Sequence, residues 1–196
     1  MQFNKKNFRC EKMSTRHKVF VSYHHENDQE YRNQFEKICS DVIVSRSVEE
    51  GDIDPNANTE YVRQKIRDEY LRDSTVTVVL IGKQTWQRKH VDWEIYSSLR
   101  DTQKNPRSGL LGIILPTYPR SDSRYYDSHT IPPRLSDNSK VKNDGKEPFA
   151  IIYNWNTNPD QIQQWIHAAF LKKDQINPVN NRPMYGKNHT GIQWSD

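Results

Sequence analysis

Apolar and polar positions follow two kinds of pattern along this chain. Short β-branched or leucine-rich runs predict buried strands at 17–23, 41–44, 75–81, 110–115 and 149–153. Between them, apolar residues recur every three or four positions, as in amphipathic helices. The resulting order of strands alternating with helices predicts an α/β fold, a parallel sheet of about five strands with helices on both faces.

The stretch from Arg72 to Leu99 is the most informative part of the chain. Its run Thr75–Ile81 is apolar and β-branched, which is typical of a strand buried on both faces. A polar loop containing Trp86 follows, and a helical pattern begins near Val91, which puts Glu94 in the first helical turn. Loops at the carboxyl ends of parallel strands form the ligand crevice of such folds. We therefore expect Glu94 to lie at that rim, facing a concavity.

Three further helices are predicted by their apolar spacing and by residues suited to cap them. Asn27 is the candidate cap of the first helix, Thr59 of the second and Asn158 of the last. Each side chain can accept a hydrogen bond from a free N–H group of the first turn. The second helix is expected to bury Ile66 and Tyr70 on one face.

Polar stretches divide the chain into regions. Residues 1–16 are expected to form a flexible leader, 17–173 the folded domain and 174–196 a polar tail. Within the domain, 49–58 is an acidic loop, and 117–148 is a long polar insertion in which no periodic segment is evident. Loops of that length are usually functional lids or disordered insertions.

Composition narrows the class of protein. The chain has 196 residues, 33% of them apolar and 28% charged, which suits one domain with extensive surface loops. No apolar run approaches the roughly 20 residues of a bilayer span, and no hydrophobic segment follows the basic N-terminal residues, so we expect neither membrane association nor secretion. Its two cysteines, Cys10 and Cys39, make no disulfide framework and favour a cytoplasmic protein.

The net charge of +4 favours anionic ligands without choosing among them. Lysines and arginines are scattered, with no stripe of aromatic residues between them, so we expect no nucleic-acid partner. The glycine-rich phosphate loops G-x-G-x-x-G and G-x-x-x-x-G-K-[ST] are absent, as is the G-x-S-x-G of serine hydrolases. Gly82 and Lys83 stand where a receiver domain would have its phosphorylated aspartate.

A family resemblance rests on two motifs. Val19–Tyr23 (VFVSY) resembles the F-x-S-Y strand of TIR domains, and the strand TVTVVLI followed by a Trp-containing loop and W-E-I repeats their order. More narrowly, VFVSYHHENDQEY and VDWEI resemble the TIR-like proteins of the bacterial Thoeris anti-phage system, over residues 18–171. Two departures stand out: EEGDIDPNAN replaces the usual R-D-x-x-P-G loop, and 117–148 has no counterpart.

The resemblance implies a flavodoxin-like TIR fold and an enzyme that cleaves the nicotinamide–ribose bond of NAD. It implies that Glu94 is the catalytic carboxylate, that NAD is substrate rather than cofactor, and that a cyclic ADP-ribose-type product activates a partner effector during phage infection. Self-association through TIR surfaces also belongs to this expectation. Two alternatives stay open: a scaffold or adaptor without catalysis, and a nucleotide sensor that binds without turnover.

Five further residues are candidate substrate-binding groups because they lie near the same sheet edge: Tyr23, His24, His25, Trp86 and Trp93. Aromatic rings can stack on nicotinamide or adenine, a histidine can pair with phosphate, and the amino end of the first helix offers free N–H groups. Each also has a plain structural interpretation, the histidines as a solvated loop and the tryptophans as core.

Three residues of the same helix are of types that can bind a metal ion. His90, Asp92 and Glu94 have carboxylate and imidazole ligands at i, i+2 and i+4, but residues i and i+2 diverge on a helix. We therefore expect no metal site.

Overall fold

The computed structural model describes residues 16–47, 61, 65–103, 105–140 and 147–195. Five strands form one sheet in the order β2-β1-β3-β4-β5, and every neighbouring pair is parallel. The strands are β1 (His17–Ser22), β2 (Ile43–Arg46), β3 (Val76–Ile81), β4 (Gly109–Ile114) and β5 (Ile151–Asn154). The helices are α1 (His25–Cys39), α2 (Lys89–Leu99), α3 (Pro133–Ser139) and α4 (Pro159–Lys172).

The predicted fold class is confirmed: this is a flavodoxin-like α/β arrangement with a wound parallel sheet. β3 is buried at every position because alternate side chains face opposite layers. Val78 and Leu80 join the core beneath α1 and α4, whereas Val79 and Ile81 join the core beneath α2 and α3. Among the helices of the described residues, none is both long and apolar enough to cross a membrane.

The strand order reverses between β1 and β3, and this places the site. The chain leaving the carboxyl end of β1 returns to β2 on one side, whereas the chain leaving β3 returns to β4 on the other side. In wound sheets this switch point opens a crevice outside the carboxyl ends of the strands. The loops after β1 and β3 therefore meet there.

The first helix begins earlier than predicted. α1 starts at His25, and the imidazole of His24, not the side chain of Asn27, caps it by accepting the N–H group of Asn27. The prediction of Asn27 as cap was wrong because it followed the standard cap residues, and histidine is not one of them. β2 is likewise two residues later than predicted, because residues 41 and 42 form a turn after α1.

The second predicted helix is described only at its end. Ile66–Tyr70 forms a π-helical turn, in which Ile66 is fully buried. Thr59, the predicted cap, and the acidic loop 49–58 lie outside the described residues, as do Cys10 and the rest of 1–15.

The long polar insertion is more ordered than its composition predicted. Residues 133–139 form the short helix α3, and Leu135 reaches the core beneath α2. The expectation of no periodic segment was wrong here because one short helix needs only a single apolar anchor, which is too little to show a period. Residues 141–146 of this insertion lie outside the described residues.

The polar C-terminal segment, residues 174–195, packs onto the sheet domain. The indole N–H group of Trp194 donates to the carbonyl of Ile131, and Trp194 is only 4% exposed. Gln87, just before α2, donates its amide to the carbonyl of Gly191. The segment thus contacts both the insertion and the chain that leads into α2.

Candidate active site at the carboxyl end of β1

Glu94 lies deeper than the sequence predicted. α2 begins at Lys89, so Glu94 falls in its second turn, about 6 Å along the helix axis from His90. Its side chain points to the sheet and is 1% exposed. The expectation of a carboxylate in the first turn, facing a concavity at the rim, was therefore wrong for this structure. The helical pattern of α2 did not show its first turn, because that turn is polar.

One polar side chain contacts the Glu94 carboxylate. The hydroxyl of Ser22, the last residue of β1, donates to Oε2 of Glu94 at 2.5 Å, and both residues are buried. Burial raises the pKa of Glu94 to about 8, and the hydrogen bond from Ser22 opposes that rise. The carboxyl group is therefore mostly protonated in this closed arrangement at neutral pH.

A row of three rings lies at the rim, where β1 ends and where α1 and α2 begin. The rings of Tyr23 and His25 are 4.6 Å apart, and those of His25 and His90 are 4.7 Å apart. His90 also lies 3.2 Å from the carbonyl oxygen of Tyr23 through Nε2. His90 stands one turn before Glu94 in α2, so the row lies toward the amino end of the helix that carries the carboxylate.

Two histidines at this edge, His90 and His24, are held neutral. Burial, together with neighbouring His25, lowers the pKa of His90 to about 3. Burial and the adjacent Arg88 guanidinium lower the pKa of His24 to about 4. A neutral His24 brings no positive charge to a phosphate at this edge; the Arg88 guanidinium, whose Nε lies 2.5 Å from His24 Nε2, does bring one.

A second buried carboxylate joins the loops of the same edge. Asp28 in α1 accepts the hydroxyl of Thr117 at 2.9 Å and lies 3.5 Å from the hydroxyl of Thr85. It also lies against Gly82, at the end of β3, where a Cβ atom would overlap its carboxylate oxygens. Burial raises the pKa of Asp28, and the two threonine hydroxyls oppose that rise. Asp28 thus fixes the chain that follows β3 to α1.

The two tryptophans predicted as ligand walls are buried. Trp86 lies in a 3₁₀ turn, Thr85–Gln87, and Trp93 packs in a core cluster with Phe20 and Ile66. Each is 2% exposed, and the indole N–H group of Trp93 donates to the carbonyl of Tyr185. Both side chains are therefore packed in the interior and do not form an open surface for a ligand.

Tyr23 is placed on the other layer of the sheet. Its ring joins the core beneath α1 and α4, and its hydroxyl donates to Gln29. Of the five candidate substrate-binding residues, His25 is the one with partial exposure. It stands in the ring row between Tyr23 and His90.

Asp92 faces away from Glu94, into a buried ion pair. Its carboxylate accepts Nε of Arg134 at 2.9 Å and the backbone N–H group of Tyr185 at 2.9 Å. Arg134 is fully buried and also donates to Asn180 and to the carbonyl of Pro183. This network ties α2, α3 and the C-terminal segment together, so that α2 is held between the sheet and that segment.

Four groups of the site were not predicted as catalytic or substrate-binding residues from the sequence: Ser22, Asp28, Arg88 and His90. A signal existed for Ser22, since strand alternation places it on the same face as the buried Phe20, where a polar residue is unusual. His90 was considered only as a metal ligand. For Asp28 and Arg88, no pattern in the sequence indicated burial or contact.

The arrangement has definite chemical capacities. A carboxyl group held by one hydroxyl in a dry site, once ionised, can stabilise a developing cation strongly, since little water screens it. The neutral imidazoles at the rim can accept or donate hydrogen bonds and stack on flat rings. Glu94 is buried in this structure, so that capacity requires a movement that gives a substrate access to it.

Comparison with known proteins agrees with the resemblance seen in the motifs. The sequence model of the family described as "Thoeris protein ThsB, TIR-like domain" matches residues 20–120, just over half of the chain. This range includes Ser22, the ring row, Asp28 and Glu94. No curated protein matches the chain. The chain therefore belongs to the TIR-like domain family of the Thoeris protein ThsB.

Proposed function

We propose that this protein cleaves the bond between nicotinamide and ribose in NAD, with Glu94 as the essential carboxylate, as part of anti-phage defence. The observation that carries the proposal is the placement of Glu94 of the W-E-I motif beside the end of β1, at the switch point of the sheet. Membership of the family supports a role in defence.

Cleavage of the nicotinamide–ribose bond is favoured by a negative charge held at a fixed position. As nicotinamide leaves, positive charge moves onto the ribose, and a carboxylate beside the sugar stabilises that oxocarbenium-like transition state. Water as acceptor gives ADP-ribose. An acceptor group of the same molecule gives a cyclic product, which requires that water be excluded and the substrate folded back.

Substrate must open the site before this step. Glu94 is buried, and His90, one turn before it at the rim, contacts the ring of the half-buried His25; we propose that the nicotinamide ring displaces His25 and takes its place in the ring row. The pyridinium charge of NAD then lies near the carboxyl group, which favours its ionised form and lowers its pKa from about 8. Arg88, at the start of α2 beside His24, is our candidate cation for the phosphates of the substrate.

The wider role follows the family. We propose that the product is a cyclic ADP-ribose-type signal released in the cytoplasm during infection, and that it activates a separate effector protein. NAD is consumed as substrate, with no cofactor. We propose that self-association through TIR surfaces shifts the ring row and completes the site, because His25 and His90 lie at the starts of α1 and α2.

Mass spectrometry of nucleotides in infected cells tests the proposal. Cells that express wild-type protein, Glu94→Gln or Glu30→Gln are compared with and without phage. Glu30 is an exposed glutamate of α1 and serves as matched control. We expect nicotinamide and cyclic ADP-ribose isomers to accumulate with wild type and Glu30→Gln, and to fall about 10²–10³-fold with Glu94→Gln. Equal product in all three would exclude the role of Glu94.

Burial of Glu94 favours a second candidate, a scaffold that acts through its surfaces without turnover. In such a protein, a carboxylate buried as deeply as that of Glu94 has only a structural role. In that case Glu94→Gln keeps defence intact while no product appears in wild-type cells. Calorimetry with NAD separates a third case, a sensor, which binds the nucleotide and leaves it uncleaved.

A further inference from the structure

The position of Ser22 in the sheet makes its contact with Glu94 more than incidental. Val19 and Val21 of β1 face the layer of α1 and α4, while Phe20 faces the layer of α2. Alternation therefore turns Ser22 toward α2, at the last position of the strand. Apolar residues fill the neighbouring strand positions, so a buried hydroxyl here needs a partner to offset the loss of water.

That partner is the Glu94 carboxylate. The donor–acceptor distance of 2.5 Å is that of a close hydrogen bond, and neither residue is more than 1% exposed. Among the described residues, no cation affects the ionisation of Glu94; burial raises its pKa and the hydrogen bond from Ser22 lowers it. Ser22 is thus the one described group that favours the charged carboxylate.

We propose that Ser22 is a positioning residue for Glu94: its hydroxyl holds one carboxylate oxygen at the end of β1 and leaves the other oxygen for the ribose of the substrate. The inference rests on the proposed function for its catalytic meaning. The strand end is fixed by β3, since Ser22 pairs with Val79 in the parallel ladder. A carboxylate anchored there is held before substrate arrives, which is what transition-state stabilisation requires.

The test reads the ionisation of Glu94 directly. Protein labelled with ¹³C at the glutamate carboxyl carbon is titrated by NMR, and the Glu94 signal is assigned by its absence in Glu94→Gln. We expect Ser22→Ala to raise the Glu94 pKa by about one to two units, because a hydrogen bond to the charged form is lost. Ser22→Thr, which keeps the hydroxyl, should restore the wild-type value to within about 0.3 unit.

Ser97→Ala is the matched control. Ser97 is a buried serine of the same helix, and among the described residues its hydroxyl has no hydrogen-bond partner. We expect it to leave the Glu94 titration unchanged. An unchanged titration in Ser22→Ala, or the same shift in Ser97→Ala, would overturn the inference.

Kinetics then connect the contact to catalysis. In Ser22→Ala, kcat/KM for nicotinamide release should fall about tenfold near neutral pH for each unit of pKa shift and recover at alkaline pH. A merely structural role would lower kcat/KM equally at every pH, and that result would refute positioning. If wild-type protein releases no nicotinamide while the titration still shifts, the proposed function fails and the Ser22–Glu94 coupling stands.

Discussion

Replacing Glu94 with glutamine is expected to change how stability depends on pH, whatever the protein catalyses. Glutamine has the shape of the protonated acid and can still accept the Ser22 hydroxyl. It carries no charge at any pH. The substitution therefore removes the unfavourable burial of a carboxylate and leaves the packing of α2 in place.

The magnitude follows from the pKa of the buried group. Burial raises the pKa of Glu94 from 4.5 to about 8, so the folded protein keeps this proton up to about pH 8 while the unfolded chain releases it near pH 4.5. The stabilising contribution is therefore fully present below about pH 4.5 and is lost as pH rises toward 8. At about 1.4 kcal/mol per unit, the whole loss is roughly 4–5 kcal/mol.

Chemical denaturation measures this difference. The free energies of unfolding of wild type and Glu94→Gln are compared at intervals from about pH 5 to about pH 9, with exposed Glu30→Gln as control. We expect the advantage of Glu94→Gln to grow by about 1.4 kcal/mol per pH unit and to level off above about pH 8. A difference that stays constant across this range would show that Glu94 is ionised and solvated in the folded protein, and would refute the burial described above.

Three other perturbations test the contacts around the site. Gly82→Ala should lower the free energy of unfolding by about 1–3 kcal/mol, because the new Cβ overlaps the Asp28 carboxylate. The double variant Gly82→Ala with Asp28→Ala should lose less stability than the sum of the two single variants, and urea denaturation measures all three. Arg134→Met alone should lower the free energy of unfolding by about 3–5 kcal/mol, because Asp92 is left buried without its cation. Adding Asp92→Leu should restore much of that stability. Equal melting temperatures for the single and the double variant would contradict this. Deleting residues 177–196 should expose one side of α2 and make native-state hydrogen exchange faster there than in the strands; unchanged protection of α2 would show that this segment is dispensable.

Much of the fold could be predicted from the sequence because apolar runs report directly on burial. A strand such as β3 is covered on both faces, and only an unbroken run such as VTVVLI satisfies that demand. The alternation of such runs with helical periods leaves few arrangements other than a wound parallel sheet. The short, polar or irregular parts were less predictable: the cap of α1 by His24 and the helix α3 leave almost no periodic signal.

The sequence by itself determined the layered fold, the motif that indicates the family and the identity of Glu94 as the residue of interest. Tertiary structure decided the depth of that carboxylate and its partner, since Ser22 lies 72 positions away and no local pattern links them. It also decided that Arg134 and the polar C-terminal segment belong to the interior. Local sequence predicts charged and polar residues as surface, because burial without a partner is unfavourable; only the folded chain brings the partners that make burial possible.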